Sequence, residues 1–131
     1  MNFGFYISGL SERLSKFLKQ AEKDIKVKIK IVISDKEVPM PLAELLAQCG
    51  IPLAVYEYKN LAGKDNAEKN MLLSDLVLAS LKEHFVDYCF SFGSHILSGV
   101  LLEEYRCRLI NFHPAILPMY PGRKAIDQAV A

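Results

Sequence analysis

The sequence carries no surplus of either charge: 16 basic and 15 acidic residues leave a net +1 at pH 7. That balance lacks the basic footprint through which a chain engages nucleic acid or an anionic membrane. Cysteine is sparse. Cys49, Cys89 and Cys107 form an odd set with no CxxC spacing, so neither a disulfide framework nor a zinc site is indicated. Cys89, inside an apolar run, reads as a buried small hydrophobe. No apolar run reaches membrane-spanning length, and residues 1–7 lack the basic start of a signal peptide. The GxGxxG and Walker-type phosphate fingerprints are missing, as are internal repeats and low-complexity tracts. The expectation is a cytoplasmic protein with no metal, no nucleic-acid partner and no membrane association.

What is present is ordinary globular material. Hydrophobic residues make up 51% and charged residues 24% of 131 positions, enough for one domain with a real core. Residues 3–7 read as a buried strand turned by Ser8-Gly9, after which Leu10, Leu14, Phe17, Leu18 and Ala21 recur at helical spacing. Residues 29–33, rich in β-branched side chains, predict a second strand, and the alternating lysines at 26, 28 and 30 read as a solvated strand face. Pro39 and Pro41 permit a helix start, Leu42, Leu45, Leu46 and Cys49 mark its face, and Gly50 closes it. Residues 53–56 form a short strand and 59–65 a loop. A long helix over 67–84 turns Leu72, Leu73, Leu76, Val77, Ser80 and Leu81 inward. A strand over 85–92, a helix over 96–105, a strand over 109–112 and a last helix from about Arg123 complete the pattern. Such alternation argues for a parallel α/β sheet with right-handed crossovers, which keeps its ligands beyond the carboxyl ends of its strands.

Polar residues at those ends are therefore the candidates for chemistry. Ser8-Gly9-Leu10-Ser11 could present backbone N–H groups to an anion. Ser11-Glu12 is also an ordinary helix start, with Ser11 as N-cap and an acid that suits the dipole but opposes phosphate, and this reading is favoured. The stretch from Phe90 to Leu97 either lines an aromatic pocket or is a plain turn whose Ile96 and Leu97 join the core. The turn is favoured, with His95 a surface or capping residue and His84 a helix-end cation without a function. Asn111 and His113 are sharper. Residues at i and i+2 of a strand share a face, and Pro114 stops the strand directly behind them. An isolated Asn-x-His suits a polar turn. At the end of an apolar strand, an amide donor beside an imidazole suits a reaction that builds negative charge on oxygen.

Asn111-Phe112-His113-Pro114-Ala115-Ile116-Leu117-Pro118, with Tyr120-Pro121-Gly122 behind it, resembles the N-x-H-P-[SA]-x-L-P signature of the folate-dependent formyltransferase family. Ile7-Ser8-Gly9, Ile33-Ser34-Asp35 and Ile96-Leu97-Ser98 fall in matching order, and the likeness runs the length of the chain. The resemblance implies an α/β fold, a Rossmann-like parallel sheet of about five strands flanked by helices. It also implies a single domain over residues 1–131 whose C-terminal part is absent.

By the same resemblance the reaction is formyl transfer from 10-formyltetrahydrofolate to a primary amine, best matched to glycinamide ribonucleotide in purine synthesis. N-formylation of a nucleotide-linked amino sugar is the alternative, and a non-catalytic folate- or nucleotide-binding fragment a further one. Asn111 would donate a hydrogen bond to the oxyanion, and His113 would stabilise that oxyanion or relay a proton. Phe90, Ser94, His95, Ile96, Leu97, Leu102 and Leu109 would contact the formyl donor. Ser8, Gly9, Leu10, Ser11 and Pro114 would contact the amine substrate. The sequence departs from the family in three places. Leu10 replaces the third residue of its Ser-Gly-Asn-Gly-Ser loop and the second glycine is gone; Ser94-His95 stands where Met-Arg is frequent; and no acid matches the Asp that orients the family's histidine. The expected partner is a small-molecule amine. A homodimer is expected if a missing C-terminal segment leaves apolar surface exposed.

Overall fold

The computed structural model describes residues 1–112. Among these residues, five parallel strands form one sheet in the order β3-β2-β1-β4-β5. They are β1 Phe3–Ile7, β2 Ile29–Ser34, β3 Leu53–Val55, β4 Tyr88–Ser91 and β5 Leu109–Asn111. The order runs outward from β1 to β3 on one side and through β4 to β5 on the other, so a topological switch point lies between β1 and β4. Five α-helices accompany the strands: α1 Glu12–Gln20, α2 Lys23–Lys26, α3 Met40–Gln48, α4 Asn66–Glu83 and α5 Val100–Glu104.

Alternation of side chains splits the core between the two faces. Phe5, Ile7 and Val32 pack with Leu14 and Leu18 of α1 and Leu42 and Leu46 of α3. Tyr6, Ile31, Ile33 and Cys89 pack with Leu73, Val77 and Leu81 of α4 and Leu101 of α5. The central strands are buried on both faces, as their continuous apolar runs require.

Two helices end in the same way with different residues. After α3, the Gly50 and Ile51 N–H groups donate to Ala47 and Leu46 carbonyls at 3.0 Å, and Gly50 adopts φ +70°. After α4, Phe85 and Val86 make the equivalent bonds to Lys82 and Leu81, and Phe85 sits at φ +55°. Both are Schellman closures, the second with phenylalanine where glycine is usual.

That closure corrects the expected strand over 85–92. Phe85 is 79% exposed and belongs to the helix stop, so β4 begins only at Tyr88. The expected helix over 96–105 contracts to Val100–Glu104. The N–H groups of Ser94 and Ser98 are spent on Ser8 Oγ (2.7 Å) and Ser74 Oγ (2.8 Å), which ties the preceding loop to its neighbours instead of winding it. Leu10 lies outside α1, 65% exposed, because the Ser11 cap starts the helix after it. Leu72 is also exposed rather than inward. Lys26 ends α2 and the strand starts at Ile29, so the lysine alternation is not a strand face. A 3-10 turn at Tyr58–Asn60 interrupts the stretch expected to be loop. The helix expected near Arg123 lies outside the described residues.

Candidate functional site

At the carboxyl ends of β1 and β2 the chain gathers a polar cluster. Asp35, directly after β2, is 1% exposed. One of its oxygens, Oδ2, accepts the Tyr6 hydroxyl from β1. The same oxygen lies 2.7 Å from His95 Nδ1. A carboxylate oxygen that accepts both bonds fixes the hydrogen on Nδ1 and turns Nε2 away from Asp35. Burial, reinforced by the adjacent Asp35 carboxylate, pushes the Tyr6 hydroxyl far above the usual tyrosine range, so it remains a donor. The other Asp35 oxygen, Oδ1, is buried and has no hydrogen-bond partner among the described residues.

Close packing holds this arrangement. A Cβ on Gly93 would collide with the Tyr6 ring, so only glycine lets the loop after β4 lie flat on Tyr6. The Phe92 N–H donates to the Tyr6 carbonyl at 2.8 Å, and the Ser94 N–H to Ser8 Oγ. His95 is thereby carried over β1 to Asp35, where Tyr58 stacks on its ring with centroids 3.6 Å apart. The cluster opens onto a cleft of about 480 Å³.

The neighbouring Ser8–Ser11 loop is already committed to internal bonds. The Gly9 N–H, at φ +77°, donates to Ser34 Oγ at 2.9 Å. Ser8 Oγ accepts from Ser94, and Ser11 Oγ caps α1 by accepting the Leu14 N–H at 3.2 Å. The N-cap expectation for Ser11 therefore holds.

Asn111 ends β5, pairs with Ser91 of β4 and is exposed. Two residues from Leu109, it shares the α4/α5 face of the sheet with Leu109 and Cys89. β5 lies three strand positions from β2, about 14 Å at the usual spacing. The Asp35 cluster and Asn111 are thus separate features of the carboxyl edge. A second opening, an apolar groove of about 300 Å³ on the α1 face, is lined by Phe5, Arg13, Phe17, Phe90, Phe92 and Phe112.

The family model for formyl transferases matches residues 1–131. The chain belongs to the formyl transferase family. It is 30% identical over 128 residues to the trifunctional purine biosynthetic protein adenosine-3 of Drosophila melanogaster, covering 95% of this chain and 9% of that protein. It is 30% identical over 108 residues to the phosphoribosylglycinamide formyltransferase of Haemophilus influenzae, covering 82% of this chain and 48% of that one. The crystal structure of phosphoribosylglycinamide formyltransferase from Anaplasma phagocytophilum superposes with a TM-score of 0.68 at 27% identity, over 99% of this chain and 57% of that one. The chain therefore spans about half the length of its single-function relatives.

Within this chain the expected donor contacts divide among several places. Ser94 and His95 line the Asp35 cleft. Phe90 stacks on Phe5 on the α1 face, with ring centroids 5.4 Å apart. Leu97 and Leu109 belong to the α4/α5 core, while Ile96 and Leu102 are 71% and 45% exposed. His113 and Pro114 lie outside the described residues.

The reading of His95 as a surface or capping residue is corrected: it hydrogen-bonds the buried Asp35 carboxyl and stacks on the half-buried Tyr58 ring. Sequence reasoning passed over Asp35 and Tyr6. A polar residue immediately after an apolar strand, the signal that singled out Asn111, was equally present at Asp35. His84 stands where expected, capping α4 with Nδ1 2.8 Å from the Ser80 carbonyl oxygen. Cys89 is fully buried, which pushes its thiol up to about 12. Among the described residues no helix is long and apolar enough to cross a membrane.

Proposed function

We propose that the protein transfers the formyl group of 10-formyltetrahydrofolate to a primary amine, with glycinamide ribonucleotide as the acceptor. The observation that carries this reading is Asn111 at the carboxyl end of β5, on the sheet face that also holds Leu109, in a chain of this family. The amine attacks the formyl carbon. The Asn111 amide donates to the oxygen on which charge develops, and His113 steadies that charge or relays the amine's proton to the donor nitrogen, whose bond to the formyl carbon breaks to release tetrahydrofolate. The donor's ring system would cover the exposed apolar side chains of Ile96 and Leu102. A cytoplasmic setting suits this role.

A second acceptor, a nucleotide-linked amino sugar, is favoured by one observation. The Gly9 N–H is spent on Ser34 Oγ, which weakens the loop as a phosphate cradle. A formyl-transfer assay with each amine separates the two. Turnover of glycinamide ribonucleotide is expected, with Asn111→Ala lowering kcat by roughly 10²–10³-fold. Turnover of the amino sugar alone would reverse the choice of acceptor. Full activity of Asn111→Ala would remove Asn111 from the chemistry.

A further inference from the structure

The Asp35 cleft is built on a buried acid and a tyrosine hydroxyl to which the chemistry at Asn111 assigns no role. Asp35 is a buried carboxylate whose Oδ1 lacks a partner among the described residues. Such a group ordinarily has a hydrogen-bond donor supplied from somewhere. Its other oxygen holds His95 in one orientation, and the stacked Tyr58 ring prevents the imidazole from tilting. Three features converge on one ring: an orienting acid, an aromatic clamp and a glycine-dependent loop. A solvated surface histidine needs none of them.

The lining decides the ligand class. Asp35, Glu37 and Glu57 line the cleft together with Lys36 and Lys59, so its walls carry no surplus of positive charge. A site for a phosphate or a carboxylate would carry a surplus of positive charge. A hydroxyl both donates and accepts, so it satisfies Nε2 whether that atom bears a hydrogen or a lone pair. A row of hydroxyls also matches alternating carboxylates and ammonium groups. The cleft volume of about 480 Å³ is within the range of small-molecule sites.

We propose that Tyr6, Asp35 and His95 build a second binding site, in which His95 Nε2 grips a neutral, hydroxyl-rich ligand of monosaccharide size. His95 is the contacting residue. Asp35 and Tyr6 are positioning residues that act through it. The proposal stands on the cleft alone and holds whether or not the chain transfers formyl groups.

The test is nitrogen NMR of the histidine rings, with His95→Ala assigning the His95 signals. D-ribose, a methyl hexoside, inorganic phosphate and p-aminobenzoylglutamate are each titrated in, without any formyl donor. The sugars should shift the His95 ring nitrogens saturably, while phosphate and p-aminobenzoylglutamate leave them in place. His95→Ala and His95→Gln should weaken sugar binding by about tenfold, the loss of one buried hydrogen bond. Asp35→Asn should broaden the tautomer signature of His95 and weaken the same sugars. Saturation by phosphate or p-aminobenzoylglutamate without a response to sugar would overturn the proposal and give the cleft to an anion or to the donor's tail. Unchanged sugar binding in both His95 variants would overturn it too.

Discussion

Two openings on this sheet are built from opposite materials. The cleft over β1 and β2 is held by hydrogen bonds that meet at one carboxylate, and its walls carry charges of both signs. The groove on the α1 face is held by ring contacts. Phe5 lies 5.4 Å from Phe90 and 5.9 Å from Phe92, and Phe112 lies 5.2 Å from Phe92. Removing a partner from the first strands a buried polar atom. Removing a ring from the second leaves a void that neighbours close only in part. The cleft therefore specifies a geometry, whereas the groove contributes mainly to stability, and substitutions can separate the two.

The largest effect is expected in the aromatic groove. Phe5 is 5% exposed and touches three other rings. Phe5→Ala should cost about 3–5 kcal/mol of stability, read from denaturant midpoints at constant slope. The His95 ring signals should be unmoved in the molecules that remain folded. A shift in those signals equal to that of an Asp35 variant would show that the two openings are one unit.

Legibility in the sequence divides along the same line. Strands announce themselves through contiguous apolar residues, so β1 came out as residues 3–7 and β2 within one residue of its observed end. The α3 stop was readable because glycine stood at the left-handed position. The chemically equivalent α4 stop was not, because Phe85 occupies that position and reads as the start of a strand. Asn111 was legible as a polar residue closing an apolar strand. The Asp35–His95 pair was not, since its members are 60 residues apart and the connecting loop has no period to read. Only the sheet order, with β4 beside β1 and β1 beside β2, brings them together.

A smaller effect is expected from the cleft's own scaffold. Tyr6→Phe keeps the ring against Gly93 but withdraws the hydroxyl from Asp35. It should cost about 1–3 kcal/mol near neutral pH, the penalty for a buried acceptor that loses a donor. The alkaline limb supplies a second readout. Tyr6 is held protonated when folded and titrates near its ordinary value when unfolded. Its contribution is fully present below about pH 10 and falls by about 1.4 kcal/mol per pH unit above it. Tyr6→Phe should remove that component, leaving a shallower alkaline decline. An unchanged slope would mean that the hydroxyl titrates freely, and with it would go the claim that Tyr6 fixes Asp35.

The smallest effect belongs to Arg13, a charged residue that lines the aromatic groove. The Arg13 guanidinium carbon lies 5.8 Å from the centre of the Phe92 ring, on the exposed side of α1. A cation over a ring at a solvated site contributes about 0.5–1 kcal/mol. Arg13→Met retains the alkyl stem over the groove and removes the charge, so its cost should stay within that range and shrink further in high salt. The contrast with Tyr6 is the informative quantity. Each substitution deletes a single polar group, one exposed at a groove rim and one buried against a carboxylate. If Arg13→Met proved as costly as Tyr6→Phe, the groove would also be organised by a polar contact, and the division between a specifying cleft and a stabilising groove would fail.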